Sequence, residues 1–233
     1  RAFTGKSKIA FCGYHGWHDW YLSANLAHGK NLDKQLLSGL SAVGVPKELQ
    51  STAIPFSDGD IGALEAVLAK GDVAAIKMEV MRSKAPSLNY LKDIRSLADK
   101  YKCLLIFDEC TSGFRESFGG LHLNYGVSPD LTILGKTLGN GYAITSVLGT
   151  RPVMSSSQST FISSTFFTER MGFVAALAAL EEMERTKSWE VISKKGVEFK
   201  CKIKALFHKY KLPIDISGMD ALVSFNVQHP ESQ

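Results

Sequence analysis

Cysteine is scarce: Cys12, Cys103, Cys110 and Cys201 are the only four in 233 residues, and no two stand at the two-residue spacing of a zinc or redox pair. A disulfide framework and a zinc site are therefore not expected, and reduced thiols point to a cytoplasmic setting. Apolar runs are short. None approaches the roughly 20 residues that a membrane helix needs, so no membrane association is expected. Charge of neither sign dominates, with 27 Lys and Arg against 23 Asp and Glu for a formal net charge of +4. The basic stretches Lys194-Lys195 and Lys200 to Lys204 are not interleaved with aromatics as a nucleic-acid groove requires, and they suit the solvated face of a helix. Repeats and low-complexity segments are absent. With 45% hydrophobic and 21% charged residues, the composition excludes disorder and suits one large core.

What is present is a set of short apolar runs that end in charged residues. Cys103 to Phe107 (CLLIF) is apolar throughout, as expected of a strand covered on both faces, and it stops at Asp108-Glu109. Leu131 to Leu134 (LTIL) stops in the same way at Gly135-Lys136. Ligands of open parallel sheets sit outside the carboxyl ends of the strands, so a carboxylate and an amine leaving two such strands can converge on one molecule.

The rest of the chain alternates strand and helix. Arg1 to Gly5 reads as the end of a helix closed by glycine, and Lys8 to Cys12 as a strand. The aromatic-rich loop Gly13 to Tyr21 follows, and residues 27 to 56 lack periodicity and read as an irregular loop. Asp58-Gly59-Asp60 caps a helix from Ile61 to Lys70, and Val73 to Met78 forms a buried strand ending in Glu79. A crossover helix is expected over Leu88 to Tyr101. Thr145 to Gly149 and Phe161 to Phe167 read as further strands, and Arg170 to Tyr210 as one long helical stretch that Pro213 ends. Ala221 to Val227 reads as the first strand of a second domain. Alternation of this kind predicts an α/β fold with a mostly parallel central sheet flanked by helices.

A lysine able to form a Schiff base and an aspartate able to hold a protonated pyridine nitrogen are the two groups that pyridoxal phosphate (PLP) needs from its protein. On residue type alone, a solvated lysine and a helix-capping aspartate are the favoured readings of Lys136 and Asp108. The ordered motifs Asp108 to Arg115 (DECTSGFR), Pro129 to Leu131 (PDL) and Gly135 to Gly141 (GKTLGNG) resemble the class III aminotransferases. That PLP-dependent family includes the glutamate-1-semialdehyde aminomutases. Cys110 stands where the family usually has Val, and Ser112 is a second small departure.

The resemblance implies a PLP-dependent transferase-like large domain over residues 1–210, truncated at its N-terminal side, and the start of a smaller α/β domain over 211–233. It implies that Lys136 is the Schiff-base lysine and Asp108 the partner of the pyridine nitrogen, with Cys110 beside the cofactor. Tyr14, in the Tyr14-His15-Gly16 match, would stack on the cofactor ring. Thr165, in Ser164-Thr165-Phe166, would reach the phosphate held by a neighbouring subunit of a homodimer. Glu79 would lie on the substrate side, although Val80 replaces the family's Pro, and bracing a loop backbone is the other role open to it. A phosphate cradle is expected upstream of residue 1. The activity implied is amino-group transfer, as a transaminase or aminomutase, between a small-molecule amino donor and a carbonyl acceptor of amino-acid, semialdehyde or sugar type. Arg82 and Arg115 are candidates for a substrate carboxylate.

Other readings fare less well. A P-loop at Gly135-Lys136-Thr137 lacks its first glycine, because position 130 is Asp. Gly139 to Gly141 lacks the third glycine of a dinucleotide fingerprint. A metal reading of His15, His18 and Asp19 has no other ligand cluster to complete it. A non-catalytic piece serving as a binding or interaction module is the alternative of a different class.

Overall fold

The computed structural model describes residues 1–81 and 83–228; Arg82 lies outside the described residues. Six strands form the main sheet: β1 (Lys8–Cys12), β2 (Ala53–Pro55), β3 (Val73–Glu79), β4 (Leu104–Glu109), β5 (Leu131–Leu134) and β6 (Ser146–Gly149). They lie in the order β2-β1-β3-β4-β5-β6, the first five parallel and β6 antiparallel to β5. A separate antiparallel pair, β7 (Ile214–Met219) and β8 (Leu222–Val227), forms a hairpin. The helices are α1 (Asp19–Leu22), α2 (Ile61–Leu68), α3 (Leu88–Lys100), α4 (Arg151–Ser155), α5 (Met171–Thr186) and α6 (Ser188–Lys209).

Local chemistry sets the helix starts. The Asp60 carboxylate accepts from the Ala63 amide at 2.8 Å, and the Ser87 hydroxyl from the Tyr90 amide at 3.1 Å, so each satisfies a donor that the first turn leaves open. Strand alternation then sorts the side chains into two layers. Ala10, Cys12, Ile76, Met78, Leu105 and Phe107 join Leu64 and Leu68 of α2 and Leu91 and Ile94 of α3 in the larger core. Each large side chain buried there contributes roughly 1.5–3 kcal/mol. On the other face Phe11 packs with Tyr21, Ala24 and Leu32. That second face carries the candidate site residues, because Lys77, Glu79 and Asp108 alternate with the core residues of the larger cluster.

Several expectations need correction. Phe161 to Phe167 is no strand: Thr165–Phe167 is one 3₁₀ turn, capped by the Ser164 hydroxyl accepting from the Phe166 amide at 3.2 Å. Phe161 is 96% exposed there, with no neighbouring strand to pair with. The stretch from 170 to 210 is two helices, α5 and α6, separated at Lys187, whose φ of +48° is left-handed and incompatible with a continuous helix. β8 is the second strand of its hairpin, because Ile214 to Met219 pairs ahead of it. The loop over 27 to 56 contains the short strand β2, added to the sheet edge beside β1. Arg1 to Gly5 is a single turn, closed by the Gly5 amide donating to the Arg1 carbonyl at 2.9 Å.

The hairpin is docked to the rest of the chain. Met219 is buried in the larger core, the Gly218 amide donates to the Ser83 carbonyl at 2.9 Å, and the Ala221 amide donates to the Glu116 carboxylate at 3.2 Å.

Candidate functional site

Asp108 is the penultimate residue of β4, in register with Glu79 on β3 and with Ile133 on β5. Its carboxylate is mostly buried and has three neighbours. Oδ2 lies 3.0 Å from His15 Nδ1 and accepts from Lys77 Nζ, also at 3.0 Å. Oδ1 accepts from the Cys110 amide at 3.3 Å. Burial opposes the charge, but the His15 contact and the Lys77 ammonium outweigh it and hold the carboxyl well below the ordinary carboxylate range. The group is an anion at neutral pH.

His15 is itself fixed from both sides. Nε2 lies 3.0 Å from the Cys12 carbonyl oxygen, and the ring stacks at 6.3 Å on Trp20. One of two histidines in an aromatic loop, His15 gives no sequence sign of this contact; only the fold brings the end of β1 beside the end of β4. Lys77 did leave a sign, as the one charged residue inside the otherwise apolar β3.

Lys136 follows β5 and Gly135. Its backbone has φ +44°, a conformation unusual for a side chain other than glycine, and its Nζ donates to Thr111 Oγ1 at 2.9 Å. Gly135 allows the close approach that places it: a Cβ there would stand 3.2 Å from both Cys110 Sγ and Thr145 Cγ2. Asp108, Cys110, Thr111 and Lys136 are thus gathered at the carboxyl ends of two adjacent strands, as expected of an open parallel sheet. The Cys110 thiol is pushed up to about 11, chiefly by burial and further by Asp108, so it stays protonated at neutral pH.

An open cleft of about 470 Å³ adjoins Lys136, lined by Arg115, Thr137, Asn140, Gly141 and Tyr142. Arg115 Nε donates to the Thr111 carbonyl at 2.6 Å. Its guanidinium has no carboxylate partner among the described residues, and burial lowers its proton affinity. The Thr137 hydroxyl is buried without a hydrogen-bond partner among the described residues.

Glu79 and Tyr14 meet through the backbone. The Tyr14 amide donates to Glu79 Oε2 at 3.2 Å, and the Gly13 amide to Gln35 Oε1 at 2.7 Å, so the loop after β1 is held by side chains from two other segments. The Tyr14 ring stands edge-on to Trp17 and Tyr21, at 5.2 and 5.8 Å. No hydrogen bond among the described residues joins Thr165 to Asp108, Cys110 or Lys136; Thr165 is exposed on its 3₁₀ turn. The neighbouring Glu109 side chain is fully buried and accepts from Ser112 Oγ, the Leu121 and His122 amides and His122 Nδ1 at 2.6–2.9 Å, which ties the loop after β4 to the strand.

A carboxylate and an amine at neighbouring strand ends of a mostly parallel α/β sheet define the architecture of a fold type I transferase. Comparison with known proteins agrees: the family profile described as "Aminotransferase class-III" matches residues 2–233, and the chain belongs to the class III aminotransferases. A 3-aminobutyryl-CoA aminotransferase of Cloacimonas acidaminovorans is 36% identical over 227 residues, covering 94% of this chain and 51% of that protein. A glutamate-1-semialdehyde 2,1-aminomutase of Ignicoccus hospitalis is also 36% identical, covering 82% of this chain and 47% of that protein. Among solved structures, an omega-transaminase from Sphaerobacter thermophilus superposes with a TM-score of 0.83 at 24% identity, over 99% of this chain and 56% of that one. The FumI protein of Sphingopyxis sp. MTA144, solved in its PLP internal aldimine form, gives a TM-score of 0.84 at 21% identity over 97% of this chain and 53% of that one. The chain thus spans about half the length of the curated relatives it matches. Among the described residues no helix is long and apolar enough to cross a membrane, and no cluster of metal-ligating side chains occurs.

Proposed function

We propose that this chain carries the catalytic centre of a PLP-dependent enzyme that transfers an amino group, as a transaminase or aminomutase. The observation that supports it most is the pairing of an ionised, three-fold anchored Asp108 with the Lys136 amine at the ends of adjacent parallel strands. The residues present fit the cofactor. A buried anion suits a cationic pyridine nitrogen, and Gly135 leaves room that a Cβ would fill against Cys110. When bound, PLP supplies a carbonyl for covalent attachment of amines and a ring that withdraws electrons from the substrate carbon.

The chain's own residues then divide the work. Lys136 Nζ would be the attachment point and the group that carries the proton leaving the substrate carbon, with Thr111 Oγ1 orienting it. Asp108 would hold the proton on the pyridine nitrogen, and would so set how strongly the ring draws electrons. Cys110 would lie beside the ring as a neutral thiol. Tyr14 supplies an aromatic face, and Glu79 fixes its backbone. The half-buried Arg115, without an acidic partner among the described residues, is assigned to a carboxylate of the amino donor or acceptor. Thr165 serves the phosphate bound to a second copy of the chain. The exposed apolar side chains Phe161, Ile162, Phe166, Val174 and Leu177 support a homodimer that covers them. The four free thiols support a cytoplasmic setting.

The half-reaction tests the proposal. The chain is loaded with PLP and mixed with glutamate, alanine or 3-aminobutyrate, and conversion of the cofactor to its amine form is followed by absorbance. Conversion by at least one donor, abolished in Lys136→Ala, is expected; no conversion by a chain shown to bind PLP would favour the non-catalytic module.

A further inference from the structure

A lysine in the interior of a buried parallel strand is costly unless its charge is compensated. Lys77 occupies such a position in β3, between Ile76 and Met78 of the main core, with only 14% of its side chain exposed. Its ammonium lies 5.3 Å above the Trp20 ring, and its one ion pair among the described residues is with Asp108 Oδ2. His15 meets the same oxygen. Among the described residues Oδ2 therefore meets two nitrogen-bearing side chains, whereas Oδ1 accepts from the Cys110 amide at 3.3 Å. A ligand nitrogen approaching this carboxylate finds Oδ1 as the less occupied acceptor.

We propose that Lys77 is a positioning residue for Asp108, pinning Oδ2 so that Oδ1 is the oxygen offered to a pyridine nitrogen, and that its ammonium weakens Asp108 as the proton-holding partner of that nitrogen. The second half follows from charge. A carboxylate already paired with an ammonium at 3.0 Å stabilises a further cation less than an unpaired one does. The ring nitrogen would accordingly give up its proton at a lower pH than in a protein with an apolar residue at position 77. The titratable groups around Asp108 are His15 from the loop after β1, Lys77 and Glu79 from β3, Cys110 beyond β4 and Lys136 beyond β5. Lys77 and His15 meet its carboxylate through charged or ring nitrogens, and the protonated Cys110 thiol is its third side-chain neighbour. The ring-nitrogen half rests on the PLP reading above; the carboxylate half does not.

Two measurements on the full chain and on Lys77→Met and Lys77→Arg test the proposal separately. Without cofactor, the Asp108 carboxyl is titrated by carbon-13 NMR. Its midpoint is expected to rise by about one pH unit or more in Lys77→Met and to return toward the parent value in Lys77→Arg. An unchanged midpoint in Lys77→Met would overturn the proposal whether or not PLP binds. With PLP carrying nitrogen-15 in its ring, the ring-nitrogen shift is followed against pH. Its midpoint is expected to move up by roughly one to three pH units in Lys77→Met. Bound PLP whose ring nitrogen titrates identically in parent and Lys77→Met would overturn the second half. A parent chain that binds no PLP refutes the cofactor reading and the second half with it, and the carboxyl titration then decides the first. Lys77→Met is close in volume to the parent side chain and removes a buried charge, and unfolding curves of all three proteins verify that the signals come from folded chains.

Discussion

Gly13 and Glu79 touch so closely that position 13 has no room for a side chain: a Cβ there would lie 2.6 Å from Glu79 Oε2. The backbone at Gly13 also has φ +103°, which side chains other than hydrogen rarely allow. Both constraints hold the Tyr14 loop against β3, where Glu79 accepts the Tyr14 amide. Gly13→Ala is therefore expected to cost about 1–3 kcal/mol in urea unfolding and to weaken PLP binding by displacing Tyr14. Wild-type stability together with wild-type PLP affinity would show that the loop is not held in this way.

Asp108 makes stability depend on acid. Its carboxyl is held below the ordinary value, so it binds a proton less readily in the folded chain than in the unfolded one. Its contribution is fully present above about pH 4, the unfolded value, and is lost as pH falls from there toward the folded value. Asp108→Asn leaves the Lys77 ammonium buried without its anion, at a cost of about 3 kcal/mol at pH 6. The stability difference between parent and variant should shrink steadily as pH falls from about 4. A difference that stays flat across that range in urea titrations would mean that Asp108 is not the buried anion described.

Much of this was legible in the chain. The apolar runs ending at Asp108 and at Gly135-Lys136 marked both strands and the residues at their ends, because a strand buried on both faces has no other way to read. The network around Asp108 was not legible. Lys77 stood out as a charge inside an apolar run, but its partner did not, and His15 and Thr111 reach the site only through strand register and loop closure, which periodicity does not encode. The Phe161 to Phe167 segment misled for a related reason: its β-branched and aromatic residues suit a strand, but a strand requires a neighbour, and none of the described residues provides one there. Lys187 gave no helix-breaking sign, since lysine is a good helix former, yet its backbone is left-handed between α5 and α6.

Glu109 tests the frame of the site rather than its chemistry. Its buried carboxylate satisfies donors on Ser112, Leu121 and His122, and Glu109→Ala would leave these without an acceptor. With each orphaned donor costing about 1–3 kcal/mol, the variant is expected to be largely unfolded. Glu109→Gln keeps one acceptor oxygen and should fold with reduced stability. Circular dichroism and urea midpoints distinguish the two variants; a Glu109→Ala chain as stable as the parent would contradict the bracing role.

The Gly196 contact is a comparable test at the other end of the chain. α6 runs so close to the β7–β8 turn that a Cβ at Gly196 would overlap the Asp220 carbonyl. Gly196→Ala is expected to lift the hairpin from α6, seen as faster hydrogen exchange over 214–227 with little change in β1 to β5. Unaltered exchange in the hairpin would show that it does not rest on α6.

The account stands most directly on Lys136 as the amine that links to PLP. The parent chain and Lys136→Ala are each saturated with PLP, reduced with borohydride, digested and mapped by tandem mass spectrometry. One dominant pyridoxyl adduct on Lys136, absent from Lys136→Ala, is the predicted result; an adduct spread alike over surface lysines in both proteins would contradict the assignment.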